Sequence, residues 1–227
     1  MPETDPQLIE YLASFMTDER KGKIENILSQ RTKHIAVVLE DIYHPYNASA
    51  IMRSCECFGI QDLHIIEKTF QYKPNIDVAR GANKWTNLIY HNSTKDNTKD
   101  CINKLRTDGY KIVATSLNKN SIPIQELPLN EKVAVFMGTE DSGVSDELLS
   151  EADYSIIIPM RGFTQSFNVS VSLGIILYEL TNRLTKSNID WNLTDEEKAE
   201  LRLDWYKKSV RSLEHLLKRY NEEKNRQ

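Results

Sequence analysis

The sequence predicts an α/β fold, a parallel sheet with helices on both faces. Short, β-branched apolar runs alternate with helical stretches through the middle of the chain. These runs are apolar almost throughout, rather than at every second position, as strands covered on both faces require. A chain of 227 residues holds one substantial domain with attachments, not two full-sized ones.

The elements follow in order. Residues 1–33 read as an N-terminal helical arm, with Leu8, Ile9, Leu12 and Phe15 on one apolar stripe and Ile24, Ile27 and Leu28 on another. Thr17, ahead of an Asp-Glu pair, is placed to cap the second helix. Residues 34–186 form the sheet domain, with strands expected at 35–40, 62–66, 86–91, 111–117, 133–138 and 154–160, and helices at 47–58, 94–106, 145–151 and 168–184. Residues 187–227 are a C-terminal helical extension: the connector SNIDWNL leads to Thr194, an N-cap for one long final helix. In that helix Leu201, Trp205, Leu213, Leu216, Leu217 and Tyr220 fall mainly on one stripe.

Composition narrows the function classes. No apolar run approaches the roughly 20 residues of a membrane span, and the N-terminus carries acidic residues where a secretory signal would be basic. The expectation is a cytoplasmic protein without a membrane partner. Cys55 and Cys57 lie two apart in a helical segment and point to different faces, while Cys101 is distant. Neither a disulfide framework nor a zinc site is expected, and no metal. A net charge of −4 and a pI of about 5.8 exclude a surface that binds nucleic acid everywhere. Any RNA contact has to be local. Two basic runs offer it: Arg20, Lys21, Lys23, Arg31 and Lys33 near the start, and Lys207, Lys208, Arg211, Lys218, Arg219, Lys224 and Arg226 near the end. Both runs also read as solvated helix faces.

Open α/β sheets bind ligands at the carboxyl ends of their strands. Neither G-x-G-x-x-G nor the P-loop pattern is present, which counts against dinucleotide enzymes and P-loop ATPases. Three other segments place polar residues and glycines just after a strand: HPYNASAIMRSCECFGI at 44–60, FMGTEDSGVSDELL at 136–149 and IPMRGFTQSFNVSVSLGIILYEL at 158–180. Together they resemble the motifs of the SPOUT superfamily of methyltransferases, in its TrmH branch. The resemblance runs from about residue 36 to 184, and its most specific part is I-P-M followed by S-x-N-V-S-V-S.

The resemblance implies a sheet whose C-terminal part forms a trefoil knot, S-adenosyl-L-methionine held in that knot, and a homodimer. It also implies roles for residues. Asn47 and Arg53 match the first motif, written here N-A-S-A-I-M-R, and Glu140 matches the motif glutamate that orients Arg53 or Asn47. Ser166 and Asn168 match the polar pair of the active site. Thr115, Gly138, Ile158, Met160 and Phe167 match positions that hold the cofactor, Phe167 standing where many relatives carry Leu. A guanidinium titrates above about 12, so Arg53 suits electrostatic stabilisation of a developing alkoxide better than proton abstraction. Local readings exist for the same residues: Asn47 and Asn168 can cap helices, and Gly138 and Gly143 can form an ordinary turn.

The two helical attachments resemble the arrangement in enzymes of this branch that 2′-O-methylate guanosine 18 in the D-loop of tRNA. A ribosomal RNA 2′-O-methyltransferase, a knotted RNA-binding protein without catalysis, and a small-molecule α/β enzyme are the competing readings. The set Asn47, Arg53, Glu140, Ser166 and Asn168 favours an enzyme over a binding module, and the small-molecule reading calls for a nucleotide fingerprint that is absent.

Overall fold

The computed structural model describes residues 5–225. It opens with α1 (Pro6–Ala13) and α2 (Asp18–Leu28). Asp5 caps α1 by accepting from the N–H groups of Gln7 and Leu8, and Thr17 caps α2 by accepting from Arg20.

The sheet domain, residues 32–191, runs through β1 (Ile35–Glu40), α3 (Pro45–Cys57), β2 (Asp62–Ile66), α4 (Ile76–Ala79), β3 (Asn87–His91) and α5 (Asn97–Thr107). It continues through β4 (Tyr110–Thr115), β5 (Ile122–Pro123), β6 (Lys132–Met137), α6 (Asp146–Glu151), β7 (Tyr154–Ile157) and α7 (Val169–Thr185). Seven strands form one sheet in the order β3-β2-β1-β6-β4-β7-β5, and every pairing is parallel. β1 is central: Val37 pairs with Leu63 on one side and Val135 on the other. Its alternate residues serve two cores. Ile35, Val37 and Leu39 pack with residues of α3 and α7, while Ala36 and Val38 pack with residues of α5 and α6.

Boundaries differ from the expectation where side chains override pattern. β7 stops at Ile157, because Pro159 has no N–H to continue the ladder. α3 starts at Pro45, whose fixed φ suits the first turn, so Asn47 lies inside the helix rather than capping it. α5 starts only at Asn97, whose side-chain Oδ1 accepts from the Thr94 N–H at 3.0 Å and holds the preceding residues in a turn. β5 and α4 are too short to leave a periodic signal.

The final extension is not one helix. It divides into α8 (Asp195–Ser209) and α9 (Leu213–Lys224). The break falls where Val210 turns extended (ψ 149°) and Ser212 takes a left-handed conformation (φ 54°). Only Leu201, Trp205 and Tyr220 of the expected stripe are buried. The two extensions, far apart in sequence, form one compact unit, with a bidentate pair from Arg202 to Glu25 (2.6 and 2.7 Å) joining α8 to α2. Several expected RNA-binding cations are engaged within this unit. Arg31 is buried with its guanidinium over the Trp205 ring, Arg219 pairs with Glu223, Lys208 with Asp204 and Lys224 with Asp5. Arg226 lies outside the described residues.

Two networks join loops to the sheet. Asp41, itself left-handed (φ 57°), accepts from the backbone N–H groups of Lys68, Thr69 and Phe70. Glu40, at the buried end of β1, accepts from Lys68 Nζ (2.9 Å), Thr98 Oγ1 (2.8 Å) and both the N–H and hydroxyl of Ser145 (2.8 and 2.7 Å). Burial raises the Glu40 pKa, but the bonds from Lys68, Ser145 and Thr98 outweigh it and hold the carboxyl below its usual range. A carboxylate with a depressed pKa contributes stability that is present above its unfolded pKa and lost as pH falls through the folded one. Glu40→Gln is therefore expected to cost about 2 kcal/mol at pH 7, and the difference from wild type to shrink below about pH 4.5. Urea melts of both proteins at pH 7 and pH 4 check this.

One grouping runs against the sequence expectation. His64 is distant in sequence from Cys101, yet the fold gathers one ligand atom from each of His64, His91 and Cys101 within 4.8 Å of one another. Parallel pairing places Ile66 of β2 opposite His91 of β3, so His64, two residues before Ile66, lies on the same face as His91. α5 brings Cys101 to that face, where Cys101 packs in the core with Ile66. Burial lowers the His64 pKa to about 4 and also lowers that of His91, so both rings are neutral at pH 7.

Candidate active site

The carboxyl ends of β4, β6 and β7 and the start of α7 enclose a cleft of about 570 Å³. This is the size range of small-molecule and cofactor sites, and its position is the one an open parallel sheet favours. Thr115 ends β4 and Leu117 follows it, Gly138 and Glu140 follow β6, Ile158 and Met160 follow β7, and Ser166, Phe167 and Asn168 lead into α7.

The floor is set by backbone. After β6 the chain doubles back in a tight loop, where Thr139 and Gly143 exchange both hydrogen bonds at 3.0 Å. Gly143 supplies the left-handed turn (φ 70°). Any Cβ at Gly138 would overlap the backbone of Gly143 and Val144, so this position admits glycine alone. Thr115 donates to the carbonyl of Phe136 at 2.9 Å, fastening the end of β4 to β6.

The mouth is organised by Asn168. Its Oδ1 accepts from the N–H and hydroxyl of Ser170 (2.9 and 2.6 Å), which caps α7. With Oδ1 committed to two donors, Nδ2 is turned outward and donates to Glu140 Oε1 (2.5 Å) and Asn47 Oδ1 (3.1 Å). One amide thus holds together the three sequence segments singled out above. Glu140 also stands 3.7 Å from His44 Nε2. Beside it is an aromatic group: Tyr43 makes tilted ring contacts with His44 and Phe70 and directs its hydroxyl at Asp141 (3.4 Å). Nothing in the sequence pattern singles out Tyr43 or Phe70, since their approach depends on the Asp41 turn.

The expected site residues are thus distributed as follows. Thr115, Gly138, Glu140, Ile158, Met160, Ser166, Phe167 and Asn168 line the cleft. Asn47 joins through Asn168. Arg53 does not: it is exposed on α3 and is not part of the cleft lining. Six residues of helix rotate it about 120° from Asn47 and raise it about 9 Å along the axis. Glu140 accordingly touches the amide that it shares with Asn47, and not Arg53.

Comparisons with known proteins place the chain in a family. Residues 34–178 match the model of the SpoU rRNA Methylase family. A protein of Borreliella burgdorferi named tRNA (guanosine(18)-2′-O)-methyltransferase is 46% identical over 205 residues, 90% of this chain and 92% of that one. A protein of the same name from Escherichia coli K12 is 32% identical, over 72% of this chain and 70% of its own. The crystal structure of the Aquifex aeolicus TrmH/SpoU tRNA modifying enzyme superimposes with a TM-score of 0.75 at 30% identity, covering 86% of this chain and 98% of that one. The fold is shared as well by the SpoU methyltransferase AviRb of Streptomyces viridochromogenes, solved with AdoMet, at 20% identity and a TM-score of 0.61 over 71% of this chain and 65% of that one. With its parallel sheet, its motif-bearing loops and a match that spans most of the sheet domain, the chain belongs to the SpoU methylase family.

Proposed function

We propose that this protein transfers a methyl group from S-adenosylmethionine to the 2′-hydroxyl of a ribose in tRNA, at guanosine 18 of the D-loop. The observation that carries the reading is the Asn168 amide, which draws Glu140 and Asn47 together at the mouth of a cleft of cofactor size. The names of the Borreliella and Escherichia relatives support the choice of RNA and nucleotide.

The cleft suits S-adenosylmethionine. Gly138 lines it beside the Gly143 turn, and Glu140, Asp141 and Asp146 put carboxylates on a wall where a sulfonium and an ammonium are to be accommodated. The backbone of Ile158 and Met160 would bond the adenine edge, with Phe167 against the ring and Thr115 on the facing wall. The cofactor supplies an electrophilic methyl, which needs no Lewis acid, so the proposed chemistry draws on no metal ion. The protein's own task is to hold the ribose oxygen in line with that methyl and to take up charge as the hydroxyl proton departs to phosphate or water. Asn47, Ser166 and Asn168 position the ribose, with Glu140 fixing Asn168. Arg53 stabilises the developing alkoxide.

The distance of Arg53 from its own cleft favours a homodimer in which Arg53 of one protomer serves the other's site. Val171 and Tyr178 on α7 and Tyr46 on α3 are exposed and available to such an interface. The return of α7 to pack against α3, after β7 has been laid down beyond β4, accords with a trefoil knot in this region.

Incubating the protein with unmodified tRNA and labelled S-adenosylmethionine should place label on guanosine 18, and a tRNA with 2′-deoxyguanosine there should accept none. Label on ribosomal RNA fragments alone would favour the ribosomal reading, and no label on any RNA would remove the enzymatic one. Gly138→Ala, whose Cβ would push aside the Gly143–Val144 backbone that lines the cleft, is expected to weaken cofactor binding about 10- to 100-fold. Calorimetry with S-adenosylmethionine reads this directly.

A further inference from the structure

We infer that His64, His91 and Cys101 form a binding site for a transition-metal ion of the zinc class, separate from the methyl-transfer cleft. None of the three lines that cleft, which is built on β4, β6 and β7, whereas His64 and His91 belong to β2 and the edge strand β3.

The donor set and its geometry suit such an ion. Two imidazoles and one thiol are borderline-soft ligands of the kind zinc and cobalt take, and three protein ligands leave one tetrahedral position for water. His64 Nδ1 and His91 Nε2 face each other at 3.0 Å, with ring planes 17° apart and centroids 5.3 Å apart. Ligand nitrogens on a tetrahedral zinc stand roughly 3.3 Å from one another, given bonds of about 2.0–2.1 Å. The two rings therefore need to open by only a few tenths of an ångström. Cys101 is a free, fully buried cysteine. Its ligand atom lies within 4.8 Å of those of both histidines, where a tetrahedral site sets sulfur roughly 3.5 Å from each nitrogen, so closure by up to about an ångström brings it to bonding distance.

The surroundings allow entry and hold the ligands in place. His64 is buried, while His91 is half-buried at the end of the edge strand, which gives an ion and its remaining water a route from solvent. The nearby charges are mixed: Asp100 and Lys104 both act on His91, and Lys104 is paired with Asp108 at 3.2 Å. Among the described residues this is the one group of three or more His, Cys, Asp or Glu side chains close enough to share an ion. On binding, the metal–sulfur bond forms as the Cys101 S–H bond breaks, and one proton leaves to solvent for each ion bound. The proton shared in the His64–His91 hydrogen bond moves to the other nitrogen of the ring that carried it, both rings staying neutral, and the hydrogen bond gives way to two metal–nitrogen bonds. The ion then ties β2, edge strand β3 and α5 to one point.

The test uses the full chain, stripped with EDTA and dialysed, then titrated with Co²⁺ alone. The expected result is one Co²⁺ per chain, with tetrahedral visible absorption, a thiolate-to-cobalt charge-transfer band in the near ultraviolet, release of one proton, and displacement by Zn²⁺. Cys101→Ser should remove the charge-transfer band, and His91→Gln, at a half-exposed position, should weaken binding at least tenfold. Zn²⁺ should raise the melting temperature of the wild type and not of His91→Gln. Circular dichroism and S-adenosylmethionine binding, unchanged in His91→Gln, verify that the variant is folded. Absence of saturable binding at micromolar Co²⁺, or binding that survives both substitutions unchanged, would overturn the proposal.

Discussion

Asn168→Asp is expected to slow methyl transfer by about 10²-fold or more at saturating RNA while leaving the fold almost as stable as before. The two halves of the Asn168 side chain do different work. Oδ1 caps α7 by accepting from Ser170, and an aspartate does this at least as well as an asparagine. Nδ2 donates to Glu140 and Asn47, and no aspartate oxygen can replace that donation. The substitution instead sets a second carboxylate against Glu140, which drives the two apart and opens the mouth of the cleft. Losing one preorganised donor of this kind typically costs a factor of about 10² to 10³. Because two adjacent carboxylates raise the pKa of one of them, part of the lost rate should return as pH is lowered and the pair comes to share a proton. Single-turnover rates across pH, set beside melting temperatures, test this. An Asp variant with the wild-type rate would show that the amide serves the helix alone.

Arg53→Ala is expected to lower the saturated rate by a similar or larger factor, about 10² to 10³, yet change the affinity for S-adenosylmethionine by less than about twofold. The residue lies off the cofactor cleft of its own chain, so cofactor contacts do not depend on it. Arg53→Lys should rescue poorly, since an ammonium lacks the planar fork that grips phosphate and hydroxyl together. The proposed dimer adds a sharper readout. Mixing Arg53→Ala chains with Gly138→Ala chains should restore activity, because one of the two sites in a mixed dimer then pairs an intact cleft with an intact Arg53. If Arg53→Ala lowered only RNA affinity and kept the saturated rate, its assignment to the chemistry would fail. If mixing restored nothing, each site would draw its arginine from its own chain.

Much of the sheet was legible in the sequence because strands buried on both faces are written as continuous apolar runs, and IAVVLE and VAVFM became the paired centre, β1 and β6. The loop residues were legible for another reason: polar residues and glycines directly after such runs drew attention to three segments, their resemblance to the SPOUT motifs supplied the individual residues, and eight of the ten expected site residues line one cleft. Asn168 satisfies both of its readings at once, as helix cap and as part of the mouth. What was hidden depended on contacts between distant segments. The placement of Arg53 off the cleft follows from helix rotation relative to neighbours that the motif spacing does not encode. The break between α8 and α9 rests on the left-handed Ser212, a conformation without a sequence marker here. The grouping of His64, His91 and Cys101 arises from strand register and from the packing of α5, and a scan for short ligand spacings passes over it.

The place of β6 between β1 and β4 has a consequence for how the chain is made. β4 leaves the ribosome before β6, yet the two strands that β6 will join have no native pairing with each other. Until residue 137 has emerged, β1 and β4 each present an apolar edge with open N–H and C=O groups, and these edges can pair wrongly with each other or with another chain. Correct assembly requires a gap kept open for a strand not yet synthesised. Parallel pairing over such long sequence separations is slow to form, and the cleft, built from residues 115–176, is completed later still. The nascent chain is thus most exposed to aggregation between the synthesis of β4 and that of β6, and substitutions that weaken the apolar match of β6, such as Val135→Thr, should lower the yield of soluble protein more than they lower the stability of molecules that have folded.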